Sequence, residues 1–154
     1  MVAANRLVFI DSNVFFIDLR YRRDRLFPVN RAFLDLVRDN RCGVTSIINI
    51  LEVCGVLSFN LNPQQLRELF HYLPDKYHLQ IIPQAASEHI LPRLPLERVL
   101  KHIEKKMSFG DALAASIAED FFPGITSFVT WDAEHFRDKI ANRVLTPEEY
   151  IQDR

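Results

Sequence analysis

Leu7-Val8-Phe9-Ile10 is an unbroken apolar run that stops at Asp11-Ser12-Asn13, and it constrains the fold more than any other segment. A strand with one wet face alternates apolar and polar residues. A run without alternation needs cover on both faces, as in a parallel sheet lying between helices. Similar segments recur along the chain. Gly43-Val44-Thr45 reads as a second strand, Leu79-Gln80-Ile81-Ile82 before Pro83 as a third, and Ile125 to Thr130 as a fourth. Val144-Leu145 reads as a small edge strand.

Helical patterns fill the intervals. Ala32, Phe33, Leu36 and Val37 share one face after Pro28, and Ser46 is placed to cap a helix over Ile47 to Phe59. Pro63 opens another helix, with Leu66, Leu69 and Phe70 at helical spacing. Further helices are expected around Ser87 to Leu91 and from Leu96 to Lys106. An Ala-rich helix over Phe109 to Phe121 is stopped by Pro123-Gly124. Asp132 begins a short helix, and Thr146-Pro147-Glu148-Glu149 starts the last one. Strands alternating with helices predict a three-layer α/β/α sandwich around a central, mainly parallel sheet of four or five strands. The 154 residues suit one domain, residues 1–154, able to bury a core without disulfides or a structural metal. Phe27, Phe33, Phe59, Phe70, Phe109, Phe121 and Phe122 read as core residues, several of them also available to a dimer interface.

Charge does not choose a partner: 19 basic and 20 acidic side chains leave a net −1, with no basic excess to mark a nucleic-acid binder and room for a local patch. Cys42 and Cys54 are the only cysteines, which predicts a reduced, cytoplasmic protein. His71, His78, His89, His102 and His135 are scattered, without zinc-ligand spacing. Asp11 and Asp18 interrupt the first apolar stretch, so no secretory signal is expected, and no run reaches the roughly 18–20 apolar residues of a membrane helix.

In parallel α/β sheets function collects at the carboxyl ends of the strands, and four acids fall there or on adjoining helices. Asp11 follows the first strand and also reads as a helix N-cap. Glu52 stands with Asn49 in a helix otherwise apolar on every side, which predicts a buried helix; Glu52 then faces a solvent gap, pairs with an arginine, or joins a metal or charge cluster. Asp111 lies three residues after Ser108, the spacing of a capping box. Asp132 follows the fourth strand at a helix start and equally reads as a cap. Right-handed crossovers bring all four to one edge of the sheet. Converging carboxylates repel unless divalent cations lie among them, and hard oxygen ligands suit Mg2+ or Mn2+.

Val8-Phe9-Ile10-Asp11-Ser12-Asn13, Asn49-Ile50-Leu51-Glu52-Val53, Gly110-Asp111-Ala112-Leu113-Ala114-Ala115 and Val129-Thr130-Trp131-Asp132 stand in the order and rough spacing of the PIN domain family. Over essentially its whole length the chain resembles the compact VapC-type toxin ribonucleases. The resemblance implies an acidic pocket holding one or two Mg2+ or Mn2+ ions, with Asp11, Glu52 and Asp111 as core acids and Asp132 as the more variable fourth. It places Asn13 and Thr130 at supporting polar positions; Asn13 stands where many members carry Ser or Thr. The interval containing Phe121-Phe122-Pro123-Gly124 is longer than in compact members. The implied activity is metal-dependent hydrolysis of RNA phosphodiester bonds by an activated water. The implied partners are RNA, a small antitoxin and a second copy of the chain. A PIN-like module that binds RNA or protein with little catalysis is the alternative.

Arg20, Arg22, Arg23 and Arg25, with Tyr21 among them, form the densest basic segment and could contact phosphates or an antitoxin; Lys101, Lys105 and Lys106 form a second. Other classes with an Asp after the first strand fit poorly. Position 13 is Asn where haloacid-dehalogenase phosphatases need a second Asp, and receiver domains need a paired acid and a late Lys not found here. Four glycines offer no dinucleotide-binding turn.

Overall fold

The computed structural model describes residues 6–82 and 93–154. The helix expected around Ser87 to Leu91 lies outside them. In chain order the elements are β1 (Leu7–Ile10), α1 (Ser12–Leu19), α2 (Phe27–Asn40), β2 (Gly43–Ser46), α3 (Ile47–Leu57), which runs on into a 3-10 turn at Ser58–Asn60, and α4 (Pro63–Tyr77). Then come β3 (Gln80–Ile82), α5 (Leu96–Glu104), α6 (Phe109–Asp120), β4 (Ile125–Val129), α7 (Ala133–Phe136), β5 (Arg143–Leu145) and α8 (Pro147–Gln152). No helix among the described residues is long and apolar enough to cross a membrane.

The five strands form one sheet in the order β3-β2-β1-β4-β5, every neighbouring pair parallel. The apolar β1 run has the cause its pattern indicates. Val8 and Ile10 join one core with Val14, Phe33 and Leu73, while Phe9 points to the opposite core with Ile117 and Phe128. Phe9 stacks on Phe128 at 5.0 Å between ring centres, and Phe136 of α7 packs on Phe128 at 4.7 Å. Helices α1, α2, α3, α4 and α8 supply the first core and α5, α6 and α7 the second, so the sheet lies between two helical layers. The chain steps from β1 outward through β2 to β3 and then resumes on β1's other side with β4. This reversal makes the carboxyl ends of β1 and β4 the natural crevice of the fold.

Two sequence expectations are corrected. Helix α3 is not buried all round: Leu51, Glu52 and Gly55 are exposed on a face that α1, α4 and α6 leave open. The phenylalanines also divide. Phe33 is buried and Phe27 and Phe70 partly so, but Phe59, Phe109, Phe121 and Phe122 are exposed, at turns and helix ends where no element covers them.

Asp18 ties three helices of the first layer together. Its fully buried carboxylate accepts from the Tyr77 hydroxyl at 2.5 Å and from Arg31 at 2.7 Å, with the Lys76 ammonium at 3.7 Å. Burial pushes this carboxyl up, but the Tyr77 and Arg31 hydrogen bonds outweigh it and hold it below the usual carboxylate range. Asp18→Ala leaves a buried tyrosine hydroxyl unpaired, while half-exposed Arg31 can turn to water. The expected loss is about 2 kcal/mol, read as a lower urea midpoint; an unchanged midpoint would show that the network adds nothing.

Candidate functional site

Asp11 ends β1 at the crevice. It occupies the N-cap of α1, yet of that helix's amides its carboxylate accepts only the adjacent Ser12 amide, at 2.8 Å, where a cap ordinarily takes the second or third. The rest of its bonding comes from other elements. Thr130, just past β4, donates its hydroxyl to Oδ2 at 2.8 Å, and the Asn49 amide of α3 reaches Oδ1 at 3.3 Å. Ser46, which caps α3, donates to Asn49 Oδ1 at 2.5 Å and so fixes which end of that amide faces Asp11.

Glu52 stands on α3 one turn beyond Asn49. Its carboxylate is exposed and accepts the Ser12 hydroxyl at 2.6 Å; Asn49 donates to that same hydroxyl oxygen at 2.8 Å. A single chain of bonds therefore runs from Asp11 through Asn49 and Ser12 to Glu52. On the β4 side, Thr130 Oγ1 also accepts from Asn13 at 2.9 Å and from the Asp132 amide at 3.1 Å, while Asn13 accepts from the Trp131 amide. The Trp131 indole is held in turn by buried Asn30 at 2.7 Å. These bonds pin the tip of β4 to the start of α1.

Asp111 comes from the opposite layer, in the first turn of α6. Ser108 accepts the Asp111 amide, but the reciprocal half of the capping box is not made. The carboxylate is thus free of the cap and lies 3.4 Å from His135 Nε2. Asp132 sits at the N-cap of α7, exposed and with no side-chain capping bond, so the capping role open to it in the sequence is not realised.

Two of the other acids act on Asp11. Burial pushes Asp11 up to about 7 against the hydrogen bonds from Thr130 and Ser12, and repulsion from Asp111 and Glu52 adds to the rise. Asp132 stands at the rim. Among the described residues, the one ion-pairing partner that any of the four has is the His135 imidazole, charged only when protonated. No group of three or more His, Cys, Asp or Glu side chains there forms a ready metal cage. The donors are nonetheless hard carboxylate oxygens, and Mg2+ characteristically takes one or two carboxylates and keeps several waters. A buried carboxyl raised to about 7, with two further carboxylates acting on it, fits such an ion.

Ser12, Asn49 and His135 are site residues that motif reasoning passes over. Asn49 carried a signal, as a second polar residue one turn from Glu52 in an apolar helix. Ser12 and His135 had none, because their places follow from helix packing. Of the second basic group, Lys105 spends its ammonium on the Lys139 carbonyl.

No family model matches the sequence, and no curated protein matches it. Among solved structures the chain is similar to one described as FitAB bound to an IR36 DNA fragment, with 15% sequence identity and a TM-score of 0.59 over 92% of this chain and 95% of that one. At that identity the likeness shows the fold alone: a PIN-like α/β/α sandwich.

Proposed function

We propose that this chain is a Mg2+- or Mn2+-dependent endoribonuclease acting through Asp11, Glu52 and Asp111, with Asp132 as a fourth acid at the rim. The observation that carries this reading is that Glu52 of α3 and Asp111 of α6 both repel the buried Asp11 carboxylate at the switch point of a PIN-like sheet. A bound divalent ion supplies the positive charge that ionises a water and stabilises a phosphodiester undergoing attack. The protein's part is placement. Thr130 and Ser12 hold Asp11 in one orientation, Ser12 holds Glu52, and Asn49 links the two, so the donors need little rearrangement when charge arrives. The family resemblance extends the reading to a toxin kept in check by a small antitoxin and working as a homodimer.

The test is direct. The purified chain is incubated with a labelled single-stranded RNA in Mg2+, Mn2+ or EDTA. Cleavage is expected with either ion and none in EDTA; cleavage in EDTA, or with no condition at all, overturns the proposal. The absence of a ready cage among the described residues favours a second reading, a PIN-like binding module with little catalysis. Calorimetry separates the two, since that module binds neither ion.

A further inference from the structure

The loop from α1 to α2 carries Arg20-Tyr21-Arg22-Arg23-Asp24-Arg25, a local charge of +3 in a chain of net −1. All six residues are exposed. Arg31, Arg38, Arg98, Arg137 and Arg143 each pair with a carboxylate, whereas none of the four loop arginines does so among the described residues. Asp24 accepts the Leu26 amide at 2.8 Å. The loop is not slack: the Tyr21 amide bonds to Ile17, the Asp24 amide to Tyr21 and the Phe27 amide to Asp24. Arg20 lies over the Tyr21 ring at 5.7 Å, and that ring is 48% exposed. Four exposed guanidiniums, without a carboxylate partner among the described residues, are therefore carried on a hydrogen-bonded loop, one of them over an exposed aromatic ring.

This loop is joined to the acids by two helices. Helix α1 starts at Asp11 and spans eight residues, about 12 Å, before reaching Arg20. Helix α3 carries Glu52 and ends near the same place. A cavity of about 540 Å³ between the two far ends is lined by Leu19, Arg20, Leu57, Asn60, Leu61 and Leu69. Phe59, at the end of α3, is 90% exposed. Between it and Glu52 stands Gly55, where a side chain would meet nothing within 4 Å. Along this line Glu52, Gly55 and Phe59 are all exposed.

The geometry points to a docking track for single-stranded RNA, leading from Glu52 along the exposed residues of α3 to this loop. The loop guanidiniums take phosphates, and Tyr21 and Phe59 stack bases. The inference rests on the ribonuclease reading for which nucleic acid is bound, and on the surface itself for the rest. Guanidiniums near exposed aromatic rings match a chain that alternates phosphates with accessible base planes. A duplex keeps its bases stacked inside and offers none to Tyr21 or Phe59.

Binding in EDTA tests the track separately from cleavage. The full chain is titrated into a fluorescent 12-nucleotide RNA, single-stranded or annealed, at several salt concentrations. Tighter binding to the single strand is expected. Combined Arg22→Ala, Arg23→Ala and Arg25→Ala weakens it at least about tenfold and lowers the slope of log K against log salt by about 2, three contacts at about 0.7 each. The corresponding lysine substitutions keep most of the slope. Tyr21→Ala and Phe59→Ala each weaken binding about five- to a hundredfold with the slope unchanged. Circular dichroism checks that each variant is folded. An unchanged salt slope in the triple variant, equal affinity for duplex, or equally strong competition by polyglutamate overturns the track, whatever the cleavage assay gives.

Discussion

Asp111→Asn is expected to lower Mg2+-dependent RNA cleavage by at least about a hundredfold while leaving the fold as stable as before. Loss of an outer partner of a metal site already costs 10- to 100-fold, and Asp111 is proposed as a direct ligand. Stability is spared for a local reason. The bond that starts α6 comes from the Asp111 backbone amide to Ser108, and an asparagine backbone makes it equally well. The side chain is half-exposed and its one close partner is His135 at 3.4 Å. Removing its charge also relieves repulsion on Asp11.

Asp132→Asn supplies the contrast. That carboxylate is exposed, makes no cap and stands at the rim, so its removal is expected to cost less than tenfold. Both variants are compared by kcat/KM on one labelled RNA at saturating Mg2+, with thermal melts as the control for folding. Full activity in Asp111→Asn would remove the acid cluster from the mechanism.

How far the sequence reached depends on the range of the interaction concerned. The strands were legible because burial on both faces writes itself locally, as an apolar run ended by a polar residue; Leu7–Ile10 matches its expected bounds to the residue. Caps were legible for the same reason, and Ser46, Ser108 and Thr146 all accept the amides their positions imply. Exposure was not. Whether Glu52 or Phe59 is covered depends on where α4 and α6 pack, which no local pattern records. The case for Glu52 therefore changes: the helix is not buried all round, the solvent-facing alternative left open for Glu52 holds, and its place in the cluster rests on Ser12 and on its action on Asp11. Helix α1 had no amphipathic stripe to mark it, because Val14, Phe15 and Ile17 are buried on several sides at once.

Asp11 should make the metal-free protein lose stability as pH rises, and a divalent cation should restore it. A carboxyl whose pKa is higher folded than unfolded binds its proton more tightly in the fold. Its contribution is fully present below the unfolded value of 3.8 and is lost as pH rises through the folded value of about 7. The whole excursion amounts to roughly 4 kcal/mol at 1.36 kcal/mol per pKa unit. Its cause is a carboxylate removed from water and set against Asp111 and Glu52. Neighbouring groups titrate too, so the quantity to measure is the difference between the wild type and Asp11→Asn, by urea unfolding in EDTA from pH 4 to 8. The wild type is expected to lose stability relative to the variant across pH 4–7 and to level off above that. At pH 8 a concentration of Mg2+ a hundredfold over its Kd should return about 2.7 kcal/mol to the wild type and much less to Asp11→Asn. Parallel pH curves for the two proteins in EDTA would mean that Asp11 is ionised and comfortable without a metal; a Mg2+ gain equal in both would place the ion elsewhere.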